Sequence, residues 1–373
     1  MISRRALLAA SAGLGLARAR AQPLDASLGA DAQSAGLLFG ASIGREAFDD
    51  PAYGDLYRRE AAVVTTDVAL KFDWLRPSPE RFEFGPADAI FEFARAARKK
   101  VRGHTLIWND NAPAWLKALS LREIERTFDA HIERVVERYA GRVHSWDVVN
   151  EPFWPMDGKP GGWRDGPWFA AMGPAYVERA FRRVAAIDPA AKLTLNEAQC
   201  DNDRDWGRQI RPLLAGLVDR LQQAGAPLQA VGLQSHLQPQ WPADYAAFAA
   251  YAAGFGARGL EVYISEFDVN DQSFPDDVAV RDAAVAAVAG RFLREALAVP
   301  AVKMVVCWQL GDGYSWYRGI WRRAHPGAAR NPRPLPFDDA LREKPLRSAL
   351  GQAFAMRRAS FEKPGFALKN HAG

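Results

Sequence analysis

Two glutamates each lie at the end of an apolar run of the kind that forms a buried strand. Glu151 ends the strand-like part of SWDVVNEP (145–152), and Glu266 lies near the end of VYISEF (262–267). A carboxylate there is costly unless it meets water, an opposite charge or a reactant. Two carboxylates facing each other across a cleft can hydrolyse a glycoside: one protonates the leaving oxygen while the other attacks the anomeric carbon or activates water. A gap of about 5–5.5 Å gives retention and about 6.5–9.5 Å inversion, and the sequence leaves both open.

Other polar or aromatic side chains lie at the ends of similar apolar runs. They are Lys71, His104, Asn150, Asn196, Glu197, Gln234, His236, Asp268 and Trp308. Among them, His236 is placed to hydrogen bond Glu266 and hold it ionised as a nucleophile. Asn150 is placed to bind a sugar 2-hydroxyl, a contact that strengthens in the transition state. Trp108, Trp308 and Trp316 offer flat apolar faces for sugar rings.

Each of these residues also has a purely structural interpretation. A single glutamate at a strand end more often forms an ion pair or a cap than catalyses a reaction, and a single histidine such as His104 is more often part of a core. A metal site built from His104, His236 and a carboxylate lacks the close spacing of metal ligands. We therefore predict no metal and no other cofactor, and the catalytic interpretation depends on the joint pattern.

Strand-length apolar runs alternate with helix-period segments along the chain, which is typical of a parallel α/β fold. The eight runs cover 37–43, 63–70, 101–107, 145–151, 192–197, 230–236, 262–267 and 302–310. No glycine-rich phosphate turn follows the first run, which disfavours an open doubly wound sheet. The pattern predicts one closed (β/α)8 barrel with its chemistry at the strand ends. Glu151 and Glu266 would then face each other from opposite sides of the barrel mouth.

The N-terminus has the layout of a cleavable export signal. Paired arginines at positions 4 and 5 precede an apolar stretch, 6–17, that is too short to span a bilayer, and small residues follow it. The motif SRRALL resembles a twin-arginine signal, which exports proteins already folded. We predict a signal peptide at 1–21 and a catalytic domain at 22–373, periplasmic or extracellular and free of the membrane after cleavage. An exposed helix or an uncleaved anchor is the alternative.

The net charge argues against a nucleic-acid-binding protein, and the cysteine content argues against a protein built on a cysteine metal site or a disulfide framework. The formal net charge is +4, and four arginines are the only charged residues in 1–21, so cleavage brings the net charge to zero. A nucleic-acid binder would retain a positive balance, and we predict no nucleic-acid partner. Cys200 and Cys307 are the only cysteines and show no metal-type or disulfide-framework spacing. We expect two buried free thiols.

Several segments together resemble one known family. GHTLIW, WDVVNEP, VGLQSH and ISEFD, in this order and at these strand ends, closely resemble glycoside hydrolase family 10, the endo-β-1,4-xylanases. The likeness extends over nearly the whole chain after the signal, including AFRRVAAIDPAAKLTLNE and PFDDALREKPL. NEP after a fourth strand is shared by a wider group of barrel glycosidases, whereas GLQSH together with WDVVNE is highly specific.

The resemblance implies a (β/α)8 barrel and a retaining double displacement without a cofactor. By position, Glu151 matches the general acid/base, Glu266 the nucleophile and His236 the histidine that supports the nucleophile. The residues that match the lining of the sugar site next to the scissile bond are Lys71, His104, Trp108, Asn150, Gln234, Trp308 and Trp316. The implied substrate is a polysaccharide or oligosaccharide, and we expect a monomer.

The chain departs from the family pattern at the residues expected to bind the second sugar on the glycone side of the scissile bond. The family's acidic-Asn-acidic-Met-Lys run is DVALK here, so Val68 replaces the expected asparagine, with Asp67 and Ala69 beside it. Residues 109–111 are Asn-Asp-Asn in place of His-Ser/Asn-Gln, and 196–199 are Asn-Glu-Ala-Gln in place of Asn-Asp-Tyr-Asn. Each lost hydrogen bond costs on the order of 1 kcal/mol, enough to shift chain-length or substrate preference.

Three functions follow from these patterns. The first is a retaining endo-1,4-β-xylanase. The second keeps the same machinery but acts on another β-1,4-linked chain, a decorated xylan, a xylo-oligosaccharide or an aryl glycoside. The third is a barrel that binds carbohydrate without cleaving it, and the pairing of Glu151 with Glu266 argues against it because a binder gains nothing from an acid and a nucleophile.

Overall fold

The structure is a computed structural model that describes residues 27–327 and 330–362. The predicted export signal, residues 1–21, lies outside the described residues. Within those ranges, no helix has both the length and the apolar character that crossing a bilayer requires.

The predicted eight-stranded barrel is confirmed. Its strands are β1 (Leu38–Ser42), β2 (Val63–Thr65), β3 (Lys100–Gly103), β5 (Ser145–Asn150), β6 (Lys192–Glu197), β7 (Ala230–Leu233), β9 (Glu261–Val269) and β10 (Val302–Cys307), with two-residue strands β4 (Ile107–Trp108) and β8 (His236–Leu237) beyond β3 and β7. All pairs are parallel, and β10 pairs with both β9 and β1, which closes the ring. The strands therefore end together at one rim.

Helices surround the barrel and occupy the connections between its strands. In the described ranges the α-helices are α1 (Leu28–Ser34), α2 (Glu46–Asp49), α3 (Pro51–Glu60), α4 (Phe72–Leu75), α5 (Gly85–Ala96), α6 (Ala114–Lys117), α7 (Leu121–Tyr139), α8 (Pro167–Met172), α9 (Ala175–Ile187), α10 (Asp205–Gln223), α11 (Tyr245–Ala257), α12 (Val278–Ala296), α13 (Trp316–Ala324) and α14 (Pro345–Phe361). Short 3-10 turns cover Pro155–Asp157, Pro160–Gly162 and Asp312–Tyr314. The helices bury their apolar faces against strands that are themselves buried.

Four predicted strands end early or are interrupted, by two or more residues, near their C-terminal ends in the structure. The run 302–310 is a strand only as far as Cys307. The run 63–70 is a strand only as far as Thr65, because Asp67 takes a left-handed conformation (φ 46°) that turns the chain. The runs 101–107 and 230–236 each break before their last residues, and a positive φ at Ser235 (63°) marks the second break. These irregular ends lie at the rim where the polar side chains are.

The barrel interior is apolar at one end and polar toward the rim. Its apolar end contains Val63, Ala230, Tyr263, Met304 and Val306, all fully buried. Nearer the rim, the buried guanidinium of Arg102 pairs with the carboxylate of Asp147 and donates to Asn196 Oδ1 at 3.3 Å. This buried polar layer supports the residues at the strand ends from below.

The two cysteines are free and buried, as predicted. Burial raises the pKa of both thiols above the usual range. They therefore remain protonated and belong to the core.

Candidate active site

Glu151 directly follows β5 and is held by its backbone and by both carboxylate oxygens. It has a left-handed conformation (φ 47°), and its N–H donates to the carbonyl of Asn196 at 2.8 Å. Gln234 Nε2 donates to Oε1 at 2.8 Å, and Arg164 Nη2 donates to Oε2 at 2.8 Å. Arg164 Nε also donates to the Glu151 carbonyl at 2.9 Å. The carboxylate is thus fixed in place while its side chain remains 14% exposed to solvent.

Glu266 lies within β9 and is almost completely buried. Asn196 Nδ2 donates to Oε1 at 2.7 Å, and His236 Nε2 lies 3.3 Å from Oε2. Burial alone would raise the pKa of Glu266, but the hydrogen bond from His236 and the positive charges of His236 and Lys71 outweigh it and lower the pKa. Glu266 is therefore an ionised carboxylate in a site that largely excludes water.

Three side-chain amides connect the two carboxylates. Gln234 Nε2, which donates to Glu151, lies 3.4 Å from Asn150 Oδ1. Asn196 Nδ2 donates to the same Asn150 oxygen at 2.8 Å and to Glu266. A carboxylate only accepts hydrogen bonds, so Gln234 and Asn196 must turn their NH2 groups toward Glu151 and Glu266. This fixes which atom donates and which accepts in each hydrogen bond between the three amides.

The carboxylates lie nearly on opposite sides of the barrel, as expected, although their strands are three positions apart round the ring and not four. Glu151 follows β5 and Glu266 lies on β9, and only β6 and β7 separate these strands along the ring. Asn196 comes from β6 and Gln234 follows β7, so the intervening strands supply the connecting amides. The two carboxylates are therefore connected along the shorter path of the rim by side chains from the two strands between them.

His236 lies between two carboxylates. Its Nδ1 is 2.9 Å from Asp268 Oδ2, and its Nε2 faces Glu266. Burial by itself would lower the pKa of His236, but Asp268 and Glu266 overcome this effect and raise it to about 10. Trp316 Nε1 donates to the same Asp268 oxygen at 2.8 Å. Around neutral pH the imidazole is thus a cation oriented toward Glu266.

His104 is neutral, in contrast to His236. Its Nδ1 lies 2.7 Å from Asp147 Oδ2, and burial lowers the pKa of His104 to about 3. A neutral ring next to a carboxylate carries its proton on Nδ1, which leaves Nε2 as an acceptor. Burial likewise raises the pKa of Asp147 to about 7, although Arg102 opposes this.

Aromatic rings and one lysine complete the site. The ammonium group of Lys71 lies 5.3 Å from the ring centre of Trp108 and 5.7 Å from that of Trp308. Trp308 meets His104 edge-on at 5.2 Å, and Trp316, 38% exposed, is tilted against His236 at 4.9 Å. The structure therefore brings together all ten residues predicted from the sequence. They are Glu151, Glu266, Lys71, His104, Trp108, Asn150, Gln234, His236, Trp308 and Trp316.

The departures at 109–111 have structural roles. Asn109 Oδ1 accepts from the backbone N–H groups of Trp168 and Phe169 at 3.1 and 3.3 Å, at the start of α8. Asn111 Oδ1 accepts from the N–H of Asp73 at 3.1 Å. These oxygens are already engaged by backbone groups.

Two carboxyl groups at or beside the other departures have raised pKa values. Asp67 Oδ2 accepts from Gln309 Nε2 at 2.8 Å, and burial raises the pKa of Asp67 to about 6. Glu197 accepts from the N–H groups of Ala198 and Phe153 at 2.9 and 3.2 Å, and burial raises its pKa well above the usual range.

Sequence reasoning missed three residues that contact the carboxylates or their partners. Asn196 was recognised only as a polar strand-end residue, although it donates to Glu266. Arg164 lies in the loop between β5 and α8, where no periodicity relates it to Glu151. Asp268 was recognised as a strand-end residue but given no role, although its position two residues after Glu266 on one strand was a usable signal. In the described ranges, no group of three or more His, Cys, Asp or Glu side chains is arranged to hold a metal ion.

This arrangement has the components of a double displacement at a sugar. It has an ionised, buried carboxylate, a second carboxylate in contact with solvent, and aromatic rings in the same site, on Trp108, Trp308 and Trp316. A cationic histidine, His236, and one amide, Asn196, hold the first carboxylate in one orientation.

The comparisons with known proteins agree with this chemistry. The family model "Glycosyl hydrolase family 10" matches residues 27–353. The "Beta-1,4-xylanase" of Dictyoglomus thermophilum is 31% identical over 296 residues, which cover 77% of this chain and 80% of that protein. "Endo-1,4-beta-xylanase B" of Thermotoga neapolitana is 29% identical over 306 residues, covering 81% and 83%.

Solved structures show the same barrel. Xylanase 10B from Thermotoga petrophila RKU-1, in complex with xylobiose, superposes with a TM-score of 0.79 at 27% identity, covering 90% of this chain and 99% of that one. Native xylanase 10B from Thermotoga maritima gives a TM-score of 0.78 at 26% identity, with the same coverage.

Proposed function

The chain belongs to glycosyl hydrolase family 10, and on that premise we propose that it is a retaining endo-1,4-β-xylanase that cleaves internal bonds of xylan. The observation that carries the proposal is the chain of amides from Glu151 through Gln234, Asn150 and Asn196 to Glu266. It holds two carboxylates in different environments at one rim of the barrel, as a division of labour between acid and nucleophile requires.

In the first step, Glu266 attacks the anomeric carbon. A carboxylate oxygen of Glu266 forms a bond to that carbon while the bond to the leaving oxygen breaks, and Glu151 gives its proton to the leaving oxygen. The lowered pKa of Glu266 keeps it ionised for this attack. Arg164 contacts Glu151 Oε2 and so stabilises the carboxylate that Glu151 becomes.

In the second step, water replaces the enzyme at the sugar. Glu151 takes a proton from the water, whose oxygen bonds to the anomeric carbon as the bond to Glu266 breaks. Two inversions give net retention, and both carboxyl groups return to their starting states.

Asn150 has the donors needed to bind the sugar during both steps. Its Oδ1 accepts from Asn196 and lies near Gln234 Nε2, so its Nδ2 points elsewhere. Among the described residues, no acceptor binds that Nδ2. A sugar 2-hydroxyl can therefore receive a hydrogen bond from Asn150.

The anomer released first tests the mechanism. Proton NMR of β-1,4-xylohexaose hydrolysis is expected to show the β-anomer before mutarotation, and an α-anomer as the first product would overturn it. Glu266→Ala is expected to abolish turnover while retaining binding of xylo-oligosaccharides. Turnover that survives this change would also contradict the assignment.

A second candidate keeps the mechanism but changes the preferred chain. Val68 replaces a hydrogen-bonding residue beside Lys71, and Asn111 is already bonded to Asp73. Comparing kcat/KM on xylan, arabinoxylan, xylo-oligosaccharides and aryl cellobiosides separates the two. Ordinary activity on unsubstituted xylan supports the first candidate, and a preference of tenfold or more for another chain supports the second.

We further propose that residues 1–21 direct export of the folded, monomeric enzyme. The paired arginines at positions 4 and 5 carry the proposal. Fusing residues 1–30 to a reporter in a bacterium with twin-arginine transport is expected to place the reporter in the periplasm. Arg4→Lys with Arg5→Lys should retain it in the cytoplasm, and unchanged export would contradict twin-arginine recognition.

A further inference from the structure

Three tryptophans and an arginine form a continuous partly exposed surface beside the proposed active site. Arg204 lies with its guanidinium carbon 4.1 Å from the ring centre of Trp206 and 5.1 Å from that of Trp241. Trp206 is 5.7 Å from Trp241 and 6.4 Å from Trp154, between ring centres. We call these four residues the tryptophan–arginine cluster.

The cluster is built at the rim where the barrel strands end. Trp154 follows β5, Arg204 and Trp206 follow β6, and Trp241 follows β8. These loops are neighbours because β5, β6 and β7 are adjacent in the barrel. The cluster is therefore on the same face of the barrel as the two carboxylates.

Arg164 connects the cluster to Glu151. Its guanidinium carbon lies 5.3 Å from the ring centre of Trp154, and its Nη2 donates to the Glu151 carboxylate. A general acid lies beside the oxygen that leaves, so the departing part of the chain begins next to Glu151. Lys71 and Trp108 follow the second and third barrel strands and lie in another sector of the rim. The cluster is thus placed to meet the departing part.

Arg204 differs from the arginines that follow it in the sequence. Arg208 Nη2 donates to Asp205 at 2.5 Å, and Arg211 Nη2 donates to Asp203 at 2.7 Å. Within the described ranges, the guanidinium of Arg204 has no carboxylate partner and no acceptor. The nearby aspartates are thus engaged with Arg208 and Arg211, and the positive charge of Arg204 remains uncompensated.

The chemistry of this site favours an acidic ligand. Aromatic faces of this kind stack against sugar rings. Two indoles restrain the guanidinium, whose N–H groups lie in its plane and match the two oxygens of a carboxylate. A neutral sugar offers only hydroxyl groups, which leave the charge unpaired.

We propose that the tryptophan–arginine cluster binds the departing part of the substrate chain and that Arg204 recognises a carboxylate on it, as in a uronic acid side group. This inference rests on the proposed endo-xylanase function and adds a substrate class to it. The cluster supplies stacking for any chain, and Arg204 supplies the preference for an acidic one.

The experiment compares two xylohexaoses, one unbranched and one with a single glucuronic acid branch in its reducing half. In Arg204→Gln, kcat/KM for the acidic chain is expected to fall about fivefold relative to the neutral chain. Trp206→Ala is expected to lower kcat/KM for both chains about tenfold. Arg220→Gln removes the same charge at an exposed position near the other end of α10 and should leave the ratio of kcat/KM for the acidic chain to that for the neutral chain unchanged.

A short chromogenic substrate, 4-nitrophenyl xylobioside, controls for folding and chemistry. Its leaving group fills only the position beside Glu151, so dividing kcat/KM for each xylohexaose by kcat/KM for this substrate isolates the binding of the more distant part of the chain. The inference would be overturned if Arg204→Gln cleaved this substrate normally and its kcat/KM for the acidic xylohexaose, relative to the neutral one, equalled that of the wild type. If the wild type cleaved neither xylohexaose, the proposed function itself would fail.

Discussion

Arg164 binds Glu151 at two points, through Nη2 to the carboxylate and through Nε to the backbone carbonyl, at 2.8 and 2.9 Å. We therefore expect Arg164→Gln to lower kcat on xylo-oligosaccharides roughly tenfold or more, because Glu151 loses its fixed position relative to the leaving oxygen. Arg164→Lys should recover little, since an ammonium group cannot make both contacts. Substrates with good aryl leaving groups need less proton donation and should lose less.

The control for this prediction is Arg182→Gln, which breaks an exposed ion pair with Glu178. Its kcat should match the wild type on every substrate. If Arg164→Gln lowered kcat equally for oligosaccharides and for substrates with good aryl leaving groups, Arg164 would be structural and would not position the acid.

Asp268→Asn is expected to move the acid limb of kcat/KM to higher pH. Asp268 and Glu266 together raise the pKa of His236, and charged His236 in turn lowers the pKa of Glu266. Without Asp268, the pKa of His236 falls and that of Glu266 rises. Glu266 reacts only as a carboxylate, so activity is lost at a higher pH as the medium is acidified.

A pH profile of kcat/KM from pH 3 to pH 9 measures this shift. Asp55→Asn makes the same chemical change at an exposed ion pair with Arg58 and should leave the profile in place. An acid limb that stayed fixed in Asp268→Asn would show that His236 does not tune the nucleophile.

Gly232→Ala is expected to lower kcat about a hundredfold, because it displaces an amide that orients both carboxylates. A Cβ at Gly232 would lie 2.1 Å from Asn196 Oδ1, so the Asn196 side chain must move away from Asn150 and Glu266. Gly290→Ala is the matched control, since its Cβ meets no atom within 4 Å. This control should keep full activity and gain up to about 1 kcal/mol in the free energy of unfolding.

Turnover and thermal unfolding of the two alanine variants are measured together. A Gly232→Ala enzyme that is folded and within about twofold of the wild-type kcat would contradict the role assigned to Asn196.

The barrel and most of its site were predictable because they follow from local patterns. Each barrel strand is an apolar run that the sequence shows directly, and the ends of parallel strands meet at one rim. That rule brings Lys71, His104 and Gln234 together although they are far apart in the chain. The chain of amides between Glu151 and Glu266 was not predictable in the same way, because strand ends alone do not show which side chains hydrogen bond to one another.

The unpredicted features all depend on loops or on side-chain partners. Arg164 reaches Glu151 from a loop with no repeating pattern, and the left-handed turn at Asp67 ends β2 early without a glycine to signal it. Arg204 is one of many arginines in the sequence, and only the structure shows two indoles around it. Such contacts require three-dimensional proximity that periodicity does not encode.

Val68→Asn is expected to raise kcat/KM about fivefold on xylotetraose, because one added hydrogen bond to a sugar hydroxyl stabilises the complex by about 1 kcal/mol. Val68 is partly exposed and lies between Asp67 and the buried Ala69, three residues before Lys71. An aryl xyloside with a single sugar ends before this position, so its kcat/KM should not change. Val278→Asn, at a residue 49% exposed on α12, controls for the substitution itself. If both substrates responded equally to Val68→Asn, or neither responded, Val68 would not contact the second sugar.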